Sequence, residues 1–404
     1  MNKPPRCIVC KASFLERHSF YSALCFKCGE FNYAKRNQTA DLHGLFAVVT
    51  GARVNIGYAV ALRLLRAGAS VIATTRFPHD AASRYAKESD FCEWKHRLHI
   101  YGLDLRHLAD VEQFTEYIIQ FYPRLDIIIN NAAQTIRRPP AFYHHLIAFE
   151  SLALRELPIE IHPLVVRSHG LAEGTSEKHP NSLKLLPNEE NTLEDKMLSQ
   201  HFASQLNPAL ATQLPLLPGD EQYDATLFPP GMYAEDGQQI DLRPLNSWLM
   251  RDEEVSILEL LEVHVINAIA PFIINSRLKR LMMKHPENSK YIVNVSSMEG
   301  RFNGVDKPWR HPHTNMAKAA LNQMTRTCAQ EYAKHRIFMN GVDPGWISFQ
   351  HPYSIAKAMQ ERGDKPPFDV IDAAARICDP IYVGLNEGRN LFGKLFKNYG
   401  ETEW

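Results

Sequence analysis

From Leu45 onward the apolar positions fall into short solid runs that alternate with longer runs of helical spacing. LFAVVTG (45–51) has the unbroken apolar character of a buried strand and ends in a glycine turn. YAVALRLLRAGAS (58–70) places its apolar residues three and four apart, the signature of one helix face, and is stopped by Gly68. SVIATT reads as a second strand, HIYGLDL as a third, LADVEQFTEYIIQFY as a helix and LDIIINNAA as a fourth strand. Further on come a long helix in DEEVSILELLEVHVINAIAPFIINSRLKRLMM, the strand KYIVNVSS, the helix NMAKAALNQMTRTCAQEYAKH and the strand RIFMNGVDPG. DVIDAAARICDPI and a last strand near GKLFKNY close the chain, and no internal repeat is visible. Strands alternating with helices predict an α/β fold of Rossmann type, a doubly wound parallel sheet.

The alternation breaks between about residues 137 and 246. This stretch holds one expected helix, FYHHLIAFESLALREL, followed by polar and Pro-rich sequence without periodicity. It reads as a long insertion, partly disordered in its middle. The opposite end of the chain is different again. Four of the seven cysteines sit in two CxxC knuckles, CIVC (Cys7, Cys10) and CFKC (Cys25, Cys28), a pattern that suits tetrahedral Zn²⁺. Four thiolates leave no open coordination position, so a structural or partner-binding role follows; a pair of redox disulfides is the alternative. The expected organisation is a small N-terminal zinc knuckle over 1–40, a polar link, and a dinucleotide-binding domain over 41–404 that contains the insertion. Cys92, Cys328 and Cys378 read as packing residues.

Composition narrows the partners. The 45 basic residues balance the 45 acidic ones, which removes any overall attraction to nucleic acid or an anionic membrane. A small-molecule substrate is expected, with a protein partner at the zinc module or insertion. The N-terminus lacks a leader-like apolar run, and we see no stretch of about 18 apolar residues, so a soluble protein of the cytoplasm is expected, the nucleus being left open.

TGARVNIG (Thr50 to Gly57) lies between a strand and a helix, where the chain must turn tightly and free N–H groups can hold a pyrophosphate. LDL and INNAA end two more strands on the same carboxyl edge. At these residues the chain resembles the short-chain dehydrogenase/reductase family. VINAIAPF, VNVSS, Lys318 of HPHTNMAK and DPGWIS extend the resemblance from Leu45 to the C-terminus, apart from the insertion. It implies that the turn at Thr50, Gly51, Ile56 and Gly57 holds the cofactor, that Asp104 and Leu105 border the adenine, and that Asn131 and Ala132 line the groove. Pro344, Gly345, Ile347 and Ser348 would hold the nicotinamide and phosphates. Asn55 stands where the family has a glycine, and Asn tolerates positive φ better than most residues. The second strand ends in TTR rather than an acidic residue, so Arg76, helped by Arg53, can pair a 2′-phosphate and NADP(H) is expected over NAD(H).

The resemblance also implies an Asn, Ser, Tyr and Lys acting together on a carbonyl or alcohol. Asn267, Ser297 and Lys318 match three of them, but the position four before Lys318 is Thr314. An aliphatic hydroxyl is too weak an acid to be tuned as a phenol can be. His311 and His313, in a longer than usual approach to that helix, are the candidates for a replacement proton donor, with His313 set beside Asn267, Ser297, Thr314 and Lys318. Arg137 and Arg138 would suit an acidic substrate if they face the cleft. Two functional expectations stand together: an oxidoreductase with an altered proton donor, and a catalytically silent dinucleotide-binding protein that works through its zinc module and insertion. Use of Thr314 as a nucleophile is a third, carried only by the nearby lysine. Pairing into a homodimer is implied by the resemblance alone.

Overall fold

The computed structural model describes residues 4–166, 207–302 and 309–404. The first strand, β1 (Phe46–Thr50), is almost wholly buried, as its unbroken apolar run requires. It pairs in parallel with β2 (Ser70–Thr75) on one side and β4 (Ile127–Asn130) on the other. With β3 (Leu98–Gly102), β5 (Lys290–Val295), β6 (Ile337–Asp343), β7 (Leu395–Lys397) and β8 (Gly400–Thr402) they make an eight-stranded sheet in the order β3-β2-β1-β4-β5-β6-β7-β8. Only the β7–β8 pairing is antiparallel. The order reverses between β1 and β4, so a crevice opens at the carboxyl ends of these strands, where ligands bind in such sheets.

Helices cover both faces. On one lie α2 (Asn55–Arg66), which buries Val60, Ala61, Leu64 and Leu65, and α9 (Val370–Glu387). Gly68, at φ +105°, ends α2 as expected: its N–H bonds to Leu65 O and that of Ala69 to Leu64 O, which satisfies the last carbonyls. On the other face lie α4 (Leu108–Phe121), α6 (Ile257–Met282) and α7 (Pro312–Ala333). α6 turns through a π-helical segment at Val265–Ile269. It is long and apolar enough to cross a membrane by length and composition, against our expectation that no such run exists; half of its most apolar window is buried in the core.

Other differences from the sequence pattern are local. The polar link after the second knuckle is helical, α1 (Phe26–Asn37), because the chain docks its residues on α9. Among the described residues, α3 (Pro78–Tyr85), α8 (Tyr353–Glu361) and the single turns Phe91–Trp94 and Pro208–Ala211 escaped the sequence pattern, all of them short. Cys378 is buried but Cys92 is exposed, so the packing role read for the latter does not hold. The insertion opens with α5 (Pro140–Glu150), and its expected disordered middle falls largely outside the described residues.

Candidate active site

The turn after β1 is built around two positions that reject a side chain. A Cβ on Gly57 would lie 2.2 Å from Gly51 O and 2.4 Å from Asn131 Nδ2, and Gly51 itself has φ +68°. Asn55, in the place of the family's other glycine, has φ +53°, as its chemistry allows. Thr50 Oγ1 accepts from the backbone N–H of Asn131 and of Ala132, both at 3.0 Å. Asn131 Nδ2 in turn donates to Thr50 O. The ends of β1 and β4 are thus tied together under the groove. α2 starts from Val54 without a side-chain cap, so its first N–H groups remain open to an anion. This cradle fits a dinucleotide.

The cations at the adenosine end are not equivalent. Arg53 is buried and paired to Asp80 at 2.8 Å, and so is engaged elsewhere rather than offered to a phosphate. Asp104 is gripped by Arg106 at 2.6 Å; burial alone would raise its pKa, but the guanidinium outweighs this and holds it below the usual carboxylate range. Arg76 differs from both. It donates to Tyr143 Oη at 2.7 Å and lies over that ring at 4.5 Å, with no carboxylate in ion-pair range among the described residues. The insertion supplies Tyr143 through α5. Arg137 and Arg138, the candidates for an acidic substrate, are answered by the insertion's Asp220 and Asp241, and their charges are therefore not free.

Asn267 lies in the π-helical segment of α6. Its Nδ2 donates to Gln134 O (3.0 Å) and Val263 O (2.9 Å), and its buried Oδ1 has no partner among the described residues. Ser297 follows β5 and begins a single turn, Met298–Gly300, that packs on α7. Ser296 donates to Asn322 Oδ1 and Asn322 Nδ2 to Gly300 O, so both sides of Ser297 are pinned to the helix that carries Lys318. Lys318 Nζ donates to Val295 O at 2.9 Å. Burial, only partly opposed by Glu299, pushes its pKa down to about 8.

Thr314 and Lys318 stand four apart on α7 and share a face. Thr314 Oγ1 lies within hydrogen-bond distance of His311 O (2.9 Å), to which it can donate, and of His311 Nδ1 (2.8 Å). His311 has φ +43° and stacks on Trp248, ring centroids 4.0 Å apart. Its N–H bonds to Met250 O, so the segment that follows the insertion holds this unusual backbone in place. His313 points elsewhere: its Nε2 is 3.5 Å from Glu259 Oε1 on α6, beyond hydrogen-bond length. The histidine that reaches the threonine is therefore His311.

After β6, Pro344 is buried, and Gly345 (φ +94°) takes Asp343 Oδ1 on its N–H while Phe368 crowds its α-carbon. Ile347 packs into a small core of Cys7, Phe14, Tyr21, Leu24 and Phe368 beneath the N-terminal knuckles, whereas Ser348 is exposed. The four thiols of Cys7, Cys10, Cys25 and Cys28 lie within 4.8 Å of one another, a cluster able to hold a metal ion.

Residues 45–150 match the short chain dehydrogenase family model, and residues 249–367 match that of the enoyl-(acyl carrier protein) reductase. The chain belongs to the short-chain dehydrogenase/reductase family. It is 32% identical over 390 residues to uncharacterized protein R665 of Acanthamoeba polyphaga mimivirus, covering 93% of this chain and 71% of that one. Mouse retinol dehydrogenase 14 is 35% identical over 102 residues, which are 22% of this chain and 30% of the relative. The solved short chain dehydrogenase from Shigella flexneri superposes with a TM-score of 0.52 at 16% identity, over 91% of this chain and 99% of that one, a likeness of fold. Four supports of this short-chain dehydrogenase/reductase site went unread in the sequence. Asn130 Nδ2 donates to Asn275 and Asn294, and Asn294 to Thr325, a buried polar ladder linking β4, β5, α6 and α7. Asn130 and Asn294 carry a legible signal, a polar residue inside an otherwise apolar strand; Asn275 and Thr325 carry none.

Proposed function

We propose that this chain is an NADP(H)-dependent oxidoreductase that interconverts a carbonyl and an alcohol with an altered proton donor. The observation that carries the reading is the seating of Lys318 on Val295 O beside Ser297, together with Asn267 Oδ1, buried and unpartnered among the described residues. A nicotinamide held in the groove supplies or accepts the hydride. Ser297 holds the substrate oxygen, and Lys318 holds the cofactor ribose and adds positive charge as negative charge develops. Thr314 cannot be the acid itself. Turning its hydrogen from His311 O to the substrate oxygen makes it a relay: the proton it gives up is replaced from Nδ1 of a doubly protonated His311, which is left as the neutral imidazole. His313, against Glu259, is kept as a helix-packing residue in this scheme.

Arg76, without a carboxylate partner, supports NADP(H), and fluorescence titration tests it. NADPH is expected to bind at least tenfold tighter than NADH, and Arg76→Ala to remove most of that preference, as loss of one charge-assisted contact would. Equal binding of both nucleotides would remove Arg76 from the reading, and failure of both to bind would favour the silent partner-binding protein. The pH profile is a second test. Since Lys318 titrates near 8, the charged ammonium dominates below that value. The rate of NADPH oxidation per unit substrate should fall as pH rises from 7 to 9, and a profile flat across that range would remove the ammonium from the mechanism.

The four-cysteine cluster is proposed as a structural Zn²⁺ site. Thiolates at about 2.3 Å from a tetrahedral ion stand about 3.8 Å apart, and Cys10 and Cys25 Sγ are 3.8 Å apart. Exposed apolar residues along α6 (Ile257, Leu261, Ile269, Phe272) and Met316 of α7 support pairing of two copies through these helices. A cytoplasmic location goes with this reading.

A further inference from the structure

Among the described residues, the insertion presents a carboxylate to the cofactor turn. Its segment Tyr233–Gln239 folds back on itself through a bridge between those two residues, with Ala234 N bonded to Gln238 O and Gly237 N to Ala234 O. Asp236 forms the tip of this strap. Its Oδ2 accepts from Asn55 Nδ2 at 2.9 Å, at the opening of α2. The tip is steadied by Arg84, which donates to Asp236 O at 2.7 Å and is itself paired to Asp80, the partner of Arg53. Gln238 fixes the carboxylate from the other side through its N–H and its Nε2.

From this we infer that Asp236 stands in for the anionic middle of the dinucleotide and competes with it, so that the strap must lift from Asn55 for the cofactor to enter. The proposal rests on the dinucleotide reading above. Four observations converge on it. The first turn of α2 lacks a side-chain cap, and negative charge is favoured at such an end. Asn55 departs from the family's glycine, and its only side-chain hydrogen bond among the described residues is to Asp236, so one contact accounts for both the departure and the strap's position. Two anions cannot share the turn without repulsion, because a pyrophosphate brought to the helix opening meets the Asp236 carboxylate. Finally, the strap is anchored behind its tip, by Tyr233 against the His145 ring (5.0 Å) and by Gln239 Nε2 on Pro229 O and Met232 O, so the tip can lift while the base stays. Release also leaves Asn55 free to turn its amide to the incoming phosphate.

Asp236→Asn keeps the size of the side chain and removes its charge. NADPH titration at low ionic strength should show this variant binding about three- to tenfold tighter than the parent, the scale of one exposed hydrogen bond and its charge. The difference should shrink as salt screens the carboxylate. Hydrogen exchange read on the full chain gives an independent measure: NADPH should speed exchange of the 234–239 amides in the parent protein. Unchanged or weaker binding by the variant, with strap amides protected by NADPH, would overturn the proposal and make the strap a clamp that closes over bound cofactor. If neither protein binds NADPH, the dinucleotide reading fails and the competition falls with it.

Discussion

Ser297→Ala is expected to slow single-turnover oxidation of bound NADPH by aldehydes and ketones about 10²–10³-fold, the usual cost of removing one donor at the developing charge. NADPH affinity should stay within about twofold, since the hydroxyl faces substrate in the proposed scheme. The hydroxyl is well placed to be removed cleanly. The turn that carries it is held by Ser296, Asn322 and Gly300 rather than by Ser297 itself, so the backbone should not move. Two companions locate the proton. His311→Gln keeps the stack on Trp248 in part but loses the exchangeable ring proton, and should cost about 10²-fold or more in the same assay. His313→Gln, which disturbs only the contact to Glu259, should cost stability rather than rate. A rate lost in the His313 variant and kept in the His311 variant would reverse this assignment. Turnover equal to the parent's in all three would remove these residues from the chemistry, whereas no turnover by the parent itself would leave the silent-protein reading standing.

The strands and the cofactor turn were legible because each depends on local sequence. Unbroken apolar runs gave β1, β2, β4 and β5, and a glycine turn followed by helical periodicity placed Thr50 to Gly57 where the structure has them. The positive φ of Asn55 was also readable, since few other residues take it at small cost. What the side chains do there was not readable, because their partners come from far along the chain. Arg53 is spent on Asp80, and Arg137 and Arg138 on Asp220 and Asp241. None of those three acids carries a motif and two belong to the insertion, which has no periodicity to place it. The same reason hid the difference between His311 and His313. His311 stands outside α7 as its N-cap, at φ +43°, and His313 in its first turn, so which one meets Thr314 depends on where the helix starts, at Pro312 rather than near Asn315.

If the four-cysteine cluster holds Zn²⁺ as proposed, stripping it, by chelation or by Cys7→Ser with Cys10→Ser, is expected to lower the thermal midpoint and weaken NADPH binding together, because so short a module would gain its folding energy from the ion. Once it loosens, α1 can no longer hold its partners on α9. Arg36 meets Asp369 at 2.7 Å and Asp372 at 2.8 Å, Lys35 meets Asp379 at 2.6 Å, and Asn32 Oδ1 accepts from the buried Arg376 at 2.6 Å. The Asp372 side chain is 1% exposed, so it cannot simply turn to water. Breaking buried pairs of this kind costs about 3–5 kcal/mol, which lowers Tm by roughly 5–10 °C. The effect on cofactor binding follows from the shared core: Ile347 and Phe368 pack with Cys7, Tyr21 and Leu24, and Phe368 also backs Gly345. Without the knuckles the 344–348 segment loses its support, and NADPH affinity should fall about tenfold or more with the sheet's circular dichroism intact. Metal analysis must show one equivalent lost as Tm falls. A metal-free protein with two disulfides and unchanged Tm would return the cysteines to the redox reading, and full NADPH affinity after metal loss would sever the module from the cofactor site.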